Sequence, residues 1–326
     1  MITVIIPYYQ KEPGILAKAL ASIAAQQSCP LPVHVIVVDD ASPAPAGPEL
    51  VSAGPMSHSV QVIVQRNGGP GAARNTGLDN APPGTRYIAF LDSDDEWTPD
   101  HLARAVAALD SGYDFYFADL MQLGATVGAF QRGGRIRLED HPCIADLPDG
   151  LHRYTGDLLD QTIRGNLIGT PTVVYRFEAY RTNRFHSEFK NAGEDYLFWM
   201  ELAHNGGRVA FSSHCEVRCG RGVNIYAASG WGTEQYLLRV HNEIKYRKLT
   251  GQLFPLSVQQ QRHIEHSIRN LRVAFARDLL HRLSHRKPLP WQVLMQHVKL
   301  DPWSFLSMPL NVLLSIFSKK YGRTKN

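Results

Sequence analysis

The first 120 residues alternate short apolar runs with stretches of helical periodicity, and this alternation constrains the fold more than any other feature. The runs predicted as buried strands are Thr3–Pro7, Val33–Val38, Val60–Val64, Tyr87–Leu91 and Phe115–Leu120. Between them lie the predicted helices Gly14–Gln27, Gly68–Leu78 and Pro99–Leu109. Alternation of this kind predicts an α/β protein whose mainly parallel sheet is flanked by helices. Ligands of such sheets bind beyond the carboxyl ends of the strands.

The rest of the chain is less regular. Residues 124–165 are rich in Gly, Pro and charge, which predicts an irregular surface excursion near the active site. A strand is predicted at Thr172–Tyr175, followed by a helix that starts at Gly193-Glu194-Asp195 and runs through Ala203. Two amphipathic helices follow Gly232. We therefore expect a domain over 1–232, with halves at about 1–120 and 121–232, and a basic helical region over 233–326.

Charge divides the chain in the same way. Residues 1–232 carry 18 Lys and Arg against 25 Asp and Glu, whereas residues 233–326 carry 16 against 5. The net charges of −7 and +11 indicate an anionic partner for the C-terminal region, either nucleic acid or a membrane surface. No nucleic-acid-binding module is recognisable. Apolar residues beside cations favour the membrane: Trp291, Trp303, Phe305, Leu306, Leu310, Leu313, Leu314, Ile316, Phe317, Lys319, Lys320 and Arg323. Packing onto the preceding domain is the alternative.

The start of the sequence, its apolar runs and its cysteines indicate where in the cell the protein is located. Met1 leads directly into a predicted strand, without a signal peptide, and no run of 20 apolar residues occurs. Cys29, Cys143, Cys215 and Cys219 form no CxxC pair, so reduced thiols are favoured over a zinc site at Cys215, Cys219 and His214. We expect a cytoplasmic protein, peripheral on the inner face of the plasma membrane.

The acidic turn after the fourth predicted strand carries the strongest chemical signal. In Leu91-Asp92-Ser93-Asp94-Asp95, three carboxylates repel one another unless a cation is present. Such oxygen ligands on a short turn suit Mg²⁺ or Mn²⁺, with coordination sites left for phosphate oxygens. An ordinary acidic turn that caps the next helix is the alternative.

Three further motifs are ambiguous when each is taken alone. Asp39-Asp40 ends a strand, where it either accepts hydrogen bonds from a nucleoside or caps the next segment. Arg66–Asn75 is a Gly-rich helix start that suits an anion or forms a plain loop, and it is no Walker A motif. Gly193-Glu194-Asp195 offers either a general base or acids that compensate the helix dipole.

Taken in order, these motifs resemble the inverting family 2 glycosyltransferases of the GT-A fold, of the bacterial surface-polysaccharide type. The resemblance runs from Ile2 to about Leu202. It is carried by Val4-Ile5-Ile6-Pro7-Tyr8-Tyr9, Val38-Asp39-Asp40-Ala41-Ser42, Asn67-Gly68-Gly69-Pro70-Gly71-Ala72-Ala73-Arg74-Asn75, Leu91-Asp92-Ser93-Asp94-Asp95 and Gly193-Glu194-Asp195.

The resemblance implies roles for individual residues. Asp92-Ser93-Asp94 corresponds to the DxD motif, with Asp94 on a Mn²⁺ or Mg²⁺ ion that bridges the diphosphate and Asp92 on ribose or metal. Asp195 corresponds to the base that deprotonates the acceptor hydroxyl, supported by Glu194. The remaining nucleotide-binding positions implied are Pro7, Tyr9, Asp40, Arg74 and Ser93.

The resemblance also implies a reaction: one sugar moves from a nucleotide-diphosphate donor, expected to be a UDP-sugar, to a hydroxyl of a saccharide acceptor, expected to be lipid-linked. The Gln-x-x-Arg-Trp motif of processive members is absent, which favours single additions. Relatives carry a His-containing stretch near the diphosphate, and Arg218 or Arg221 takes that place here. A sugar nucleotidylyltransferase would need a Gly-rich signature after the first strand, where Pro7-Tyr8-Tyr9-Gln10 stands; an inactive sugar-nucleotide-binding scaffold is disfavoured by Asp94 and Asp195.

Overall fold

The computed structural model describes residues 1–53, 58–189, 193–223 and 229–312. The chain divides into two compact units. Unit 1 comprises residues 1–190 and 194–223, and unit 2 comprises residues 191–193 and 224–326.

Unit 1 is built on a mixed sheet. Its described residues form nine strands in the order β3-β2-β1-β4-β8-β6-β9-β5, with β7 beside β9. The strands are β1 (Ile2–Tyr8), β2 (Val33–Asp39), β3 (Ser59–Val64), β4 (Tyr87–Phe90), β5 (Glu96–Trp97), β6 (Phe115–Met121), β7 (Leu151–Arg153), β8 (Val174–Arg176) and β9 (Val209–Arg218). The central strands are apolar throughout because helices cover both faces of the sheet.

The strand directions confirm the prediction of a mainly parallel sheet. β1 pairs in parallel with β2 and β4, β2 with β3, and β6 with β9. β8 runs antiparallel to both β4 and β6, so β4 and β6 share one direction. From β1 the sheet extends one way through β2 and the other way through β4. A change of this kind opens a crevice at the carboxyl ends of β1, β2 and β4, where ligands of open α/β sheets bind.

Helices cover two apolar clusters, one on each face of the sheet. The helices of unit 1 are α1 (Leu16–Ala24), α2 (Ala46–Ala53), α3 (Pro70–Asp79), α4 (His101–Asp110), α5 (Ala129–Gly133), α6 (Leu158–Arg164) and α7 (Glu194–His204). α3 lies against β1 so closely that a Cβ on Gly77 would come within 2.4 Å of Ile5 Cγ2. A glycine at this position therefore lets α3 dock on the sheet.

Two stretches differ from the sequence-based expectation. Residues 124–165 were expected to be irregular, but they contain α5, β7 and α6, so that prediction is wrong for those parts. β7 forms by antiparallel pairing with β9, as Leu151 does with Ser212, and a partner 60 residues away leaves no local signal. β9 was not predicted at all, because Ser212–Glu216 interrupts its apolar pattern with polar residues.

Unit 2 contains helices, as predicted for the C-terminal region: α8 (Tyr236–Leu253), α9 (Val258–Ser284), α10 (Trp291–Leu300) and α11 (Trp303–Leu306). A capping box of Ser257 and Gln260 begins α9. Within the described residues, none of the helices combines the length and apolarity needed to cross a bilayer. Some predicted membrane-contact residues lie outside the described residues: Leu313, Leu314, Ile316, Phe317, Lys319, Lys320 and Arg323.

Candidate active site

The acidic turn after β4 is held by backbone amides of the segment that follows β9. Gly222 N donates to Asp94 Oδ2 at 2.7 Å, and Gly220 N donates to Asp95 Oδ1 at 2.9 Å. A Cβ on Gly220 would lie 1.6 Å from the backbone oxygen of Asp94, and one on Gly222 would lie 2.5 Å from Asp94 Cγ. The segment 219–223 can therefore pack on the acidic turn only with glycine at these two positions.

Gln10 ties this arrangement to the end of β1. Its Nε2 donates to Ser93 Oγ at 3.0 Å, and its Oε1 accepts from Val223 N at 3.3 Å. Sequence reasoning missed this residue. The available signal was a polar residue that follows the first strand beside Pro7 and Tyr9, both of which are half-buried at the same edge of the sheet.

The two aspartates at the end of β2 accept several hydrogen bonds from backbone amides, and Asp40 accepts one more from Gln65 Nε2. Asp39 accepts from Ser42 N at 2.8 Å and from Ala46 N at 2.9 Å, so it fixes the segment that leads into α2. Asp40 accepts from Gly68 N and Gly69 N, each at 2.8 Å, and thereby holds the start of α3. Both carboxylates are buried. The capping alternative describes Asp39, whereas contact of Asp40 with a nucleoside stays a prediction.

Arg74 joins the acidic turn to the beginning of α7. It projects from α3, is buried, and its Nη2 lies 2.7 Å from Asp92 Oδ1. Its Nη1 lies 3.9 Å from Glu194 Oε1. The guanidinium also lies 5.4 Å from the centroid of the Phe185 ring. Asp92 and Glu194, which are more than 100 positions apart, thus meet around one buried cation, and their roles in a common site stay a prediction.

The two acids at the start of α7, Glu194 and Asp195, both have raised pKa values. Burial, followed by the charge of Asp195, raises the pKa of Glu194 to about 7 against the opposing effect of Arg74. Burial likewise raises the pKa of Asp195, although Arg74 and the amide of Tyr196 oppose the rise. Glu194 Oε2 is buried and has no hydrogen-bond partner among the described residues. A pair whose proton affinity is raised towards neutrality is suited to acid–base chemistry.

A buried network braces β9, and sequence reasoning missed it. Glu216 accepts hydrogen bonds from Arg104 Nε at 2.8 Å and from the Tyr116 hydroxyl at 2.8 Å, and His101 Nδ1 lies 2.8 Å away. The next residues of β9 pair with β5, directly after the acidic turn. Glu216 therefore fixes the strand that delivers segment 219–223. An acid inside a strand was the only local signal.

The acidic turn fits a divalent cation. In the described part of the chain, no cationic side chain is among the groups that act on Asp94 and Asp95. Burial, followed by the charges of Asp92 and Asp94, raises the pKa of Asp95 to about 8, and Arg74 pairs with Asp92 rather than with Asp94 or Asp95. No group of three or more His, Cys, Asp or Glu residues forms a complete metal site among the described residues. One or two carboxylates completed by phosphate oxygens match the way Mg²⁺ is bound beside nucleotides.

Comparison with known proteins gives relatives of one kind. Residues 3–181 match Glycosyl transferase family 2. The succinoglycan biosynthesis protein ExoW of Rhizobium meliloti (strain 1021) is 36% identical over 250 residues, which cover 74% of this chain and 75% of that protein. ExoO of the same organism is 40% identical over 211 residues, covering 64% of this chain and 57% of that protein.

Solved structures share the fold. TarS residues 1–349 of S. aureus in complex with UDP-GlcNAc superimposes with a TM-score of 0.61 at 19% identity, covering 100% of this chain and 93% of that one. The mannosyltransferase PcManGT of Pyrobaculum calidifontis, in complex with GDP-Man and Mn²⁺, gives a TM-score of 0.53 at 17% identity, covering 99% and 87%. At these identities the likeness concerns the fold alone, and it confirms the expected GT-A architecture.

The family match covers more than half of the chain and ends before α7, so the assignment does not depend on Glu194 or Asp195. The alignment with ExoW spans about three quarters of both proteins. With the shared fold, these findings show that the chain belongs to glycosyltransferase family 2 and is a glycosyltransferase.

Proposed function

We propose that this enzyme transfers one sugar from a UDP-sugar to a hydroxyl of a lipid-linked saccharide acceptor, with inversion, in surface-polysaccharide assembly. The observation that carries the proposal is the meeting of the acidic turn with the start of α7 around Arg74, over distances of 2.7 and 3.9 Å. Two relatives are named as succinoglycan biosynthesis proteins, which supports the setting. TarS structures that contain UDP and UDP-GlcNAc support the donor class.

The residues of unit 1 divide the work of the proposed reaction. Asp195 would accept the proton of the acceptor hydroxyl as that oxygen attacks the anomeric carbon. Because the pKa of Glu194 is raised to about 7, Glu194 is partly protonated near pH 7. This limits the charge repulsion between Glu194 and Asp195. Arg74 holds Asp92 and offsets the negative charge at the start of α7. A single in-line displacement needs no covalent intermediate, so the configuration inverts.

Asp94, with Asp92, would hold a Mn²⁺ or Mg²⁺ ion. When bound, the metal supplies neutralisation of the leaving diphosphate. A mannosyltransferase of the same fold was crystallised with GDP-Man and Mn²⁺, which supports this choice. Arg218 and Arg221 lie exposed at the end of β9 and in the segment after it, where a cation can contact a phosphate group.

A lipid-linked acceptor requires that the enzyme work at a membrane surface. We propose that residues 233–326, with a net charge of +11, provide a peripheral contact on the inner face of the plasma membrane. The family assignment argues against the alternative activity, that of a sugar nucleotidylyltransferase.

Calorimetry of UDP with and without Mn²⁺ tests the metal-dependent core of the proposal. We expect UDP to bind at least tenfold more tightly with Mn²⁺, and Asp94→Asn to remove that gain because it removes a charged ligand. Asp149, whose side chain is fully exposed in unit 1, offers the matched control Asp149→Asn, which should retain the gain.

Equal binding of UDP with and without Mn²⁺ would contradict the metal assignment. A screen of UDP-sugars for Mn²⁺-dependent release of UDP then identifies the donor. Release that persists in excess EDTA would show that the reaction does not need the metal.

A further inference from the structure

The C-terminal part of unit 2 is anchored by a buried carboxylate between two short helices. Asp301 lies between α10 and α11 and is fully buried. It accepts hydrogen bonds from Arg272 Nε at 2.8 Å and Arg272 Nη2 at 2.7 Å, and Lys248 Nζ lies 2.9 Å from Oδ1. Because Arg272 is on α9 and Lys248 on α8, this one residue ties the segment 291–306 to both long helices.

Other inward-facing residues of this segment are also polar. His297 is fully buried; its Nε2 lies 3.0 Å from Ser304 Oγ and its Nδ1 lies 3.1 Å from His241 Nδ1 of α8. Ser304 Oγ in turn donates to Asp301 Oδ2 at 2.6 Å. Leu294 is the buried apolar residue of α10. The segment is therefore docked through hydrogen bonds and ion pairs, together with ring contacts of Phe275 with His297 and Phe305.

The outward face of the same segment is rich in large apolar side chains, which departs from the usual arrangement. Five of them, and Leu310 just beyond the segment, are exposed by 43 to 69%: Trp291, Met295, Val298, Trp303, Leu306 and Leu310. The first three recur at intervals of four and three residues, which places them on one face of α10. A cluster of this kind on a protein surface marks an interaction site.

The exposed charge of the chain that carries this face is of one sign. Between residues 279 and 312 the sole carboxylate is Asp301, which is buried, whereas Arg286, Lys287 and Lys299 are exposed. The sequence from 302 to 326 contains no Asp or Glu. A surface that combines tryptophan, aliphatic side chains and unopposed cations is complementary to anionic lipid head groups over acyl chains.

We infer that the outward face formed by these six side chains lies on an anionic lipid bilayer, with Trp291 and Trp303 at the level of the head groups. The inference gives the peripheral membrane contact proposed above a defined surface, and it rests on the proposed function only for its biological setting. Polar anchoring of the inward face leaves the apolar side chains free for lipid.

Sedimentation of the full chain with phosphatidylcholine vesicles, with and without 30% phosphatidylglycerol, tests the inference. We expect binding to the anionic vesicles that weakens with added salt, and a tenfold or greater loss of affinity in the double variant W291S/W303S. A second variant, M295S/L306S, should show a loss of the same kind. The control V51S/V64S removes two exposed apolar side chains of unit 1 and should bind as the wild type does.

Equal sedimentation with neutral and anionic vesicles, or variants that bind like the wild type, would overturn the inference. Light scattering in the absence of lipid tests the competing possibility, that the face binds a second copy of the chain. A dimer that W291S/W303S converts to a monomer would show this. UDP binding in the presence of Mn²⁺ should be the same in all variants. Failure of lipid binding is thereby distinguished from failure of the proposed transferase chemistry.

Discussion

The aspartates that follow β2 and β4 in unit 1 are held differently from the buried aspartates of unit 2. In unit 1, the buried Asp40 and the half-buried Asp94 accept hydrogen bonds from backbone amides. In unit 2, Asp301 and Asp278 are paired with cationic side chains at 2.7 to 2.9 Å. An amide orients a carboxylate and leaves its charge uncompensated, whereas a guanidinium group both orients and neutralises it. Amide-held aspartates therefore remain able to attract a metal ion, and cation-paired aspartates serve to join helices.

Unit 1 also contains cation-paired carboxylates, Glu216 with Arg104 and Asp92 with Arg74. Arg74 is a buried arginine like Arg282 of unit 2, which lies 2.7 Å from Asp278. Arg74, however, faces two carboxylates from different elements, Asp92 and Glu194. The comparison predicts that loss of Arg74 affects chemistry and stability together, whereas loss of Arg282 affects stability and leaves the chemistry of unit 1 intact.

The largest expected effect is on turnover in Asp195→Asn. Loss of the proposed base should lower kcat by a factor of about 10² to 10⁴, while UDP binding in the presence of Mn²⁺ changes little. The measurement is UDP release under saturating donor. Glu201→Gln on the same helix is the matched control and should retain turnover, since Glu201 pairs with His186 instead. Full activity in Asp195→Asn would show that another group is the base.

Replacement of the buried arginines Arg74 and Arg282 tests directly whether the two units differ in this way. Arg74→Met and Arg282→Met should each lower the free energy of unfolding by about 3–5 kcal/mol, because each leaves a buried carboxylate without its cation. Urea denaturation measures this loss. In the absence of urea, and at a temperature at which both variants are folded, only Arg74→Met should lose UDP release. A turnover defect of equal size in Arg282→Met would remove the distinction between the units.

The pH dependence of unit 1 follows from Glu194. Its pKa is raised from 4.5 to about 7, so the folded protein retains a proton that the unfolded chain releases between these values. The contribution of Glu194 to stability is therefore present at low pH and declines by about 3 kcal/mol as the pH rises through this window. Glu194→Gln should flatten the decline. Hydrogen exchange of unit 1 peptides between pH 5 and 8 measures it, and an unchanged slope would contradict the burial of a titrating Glu194.

Unit 2 should respond to pH with the opposite sign. Burial, and then His241, lower the pKa of His297 to about 4, against the attraction of Asp301 and with the repulsion of Lys248 and Arg272. His297 is protonated near pH 6.5 in the unfolded chain but only near pH 4 in the folded chain. The free energy of unfolding therefore falls by about 3 kcal/mol as the pH drops from 6.5 towards 4. Exchange of unit 2 peptides should show this loss, and His297→Gln should reduce its pH dependence, leaving the part contributed by His241, whose pKa burial also lowers. A rise in protection of unit 2 on acidification would refute the assignment.

Sequence patterns predicted the parallel part of the sheet because each strand there is a continuous apolar run with helices on both faces. They also placed Asp40 and Asp92 directly after predicted strands and the acids Glu194 and Asp195 at a helix start, while the roles of these residues stay predictions. They did not predict β9, whose polar residues Ser212–Glu216 are satisfied only by distant partners such as Arg104. Contacts between backbone amides and aspartates, like that of Gly222 with Asp94, leave no signal except glycine itself.

The smallest expected effect concerns how closely the backbone approaches the acidic turn. A Cβ on Gly220 would lie 1.6 Å from the backbone oxygen of Asp94, so Gly220→Ala must displace segment 219–223 and weaken its two amide contacts with the turn. We expect affinity for Mn²⁺ with UDP to fall about tenfold, which corresponds to about 1.4 kcal/mol, because the ligands lose their orientation. Gly47→Ala in α2 is the matched control, since a Cβ there meets nothing within 4 Å. If Gly220→Ala bound Mn²⁺ and UDP as tightly as Gly47→Ala, amide donors would not be what orients the metal-binding carboxylates of unit 1.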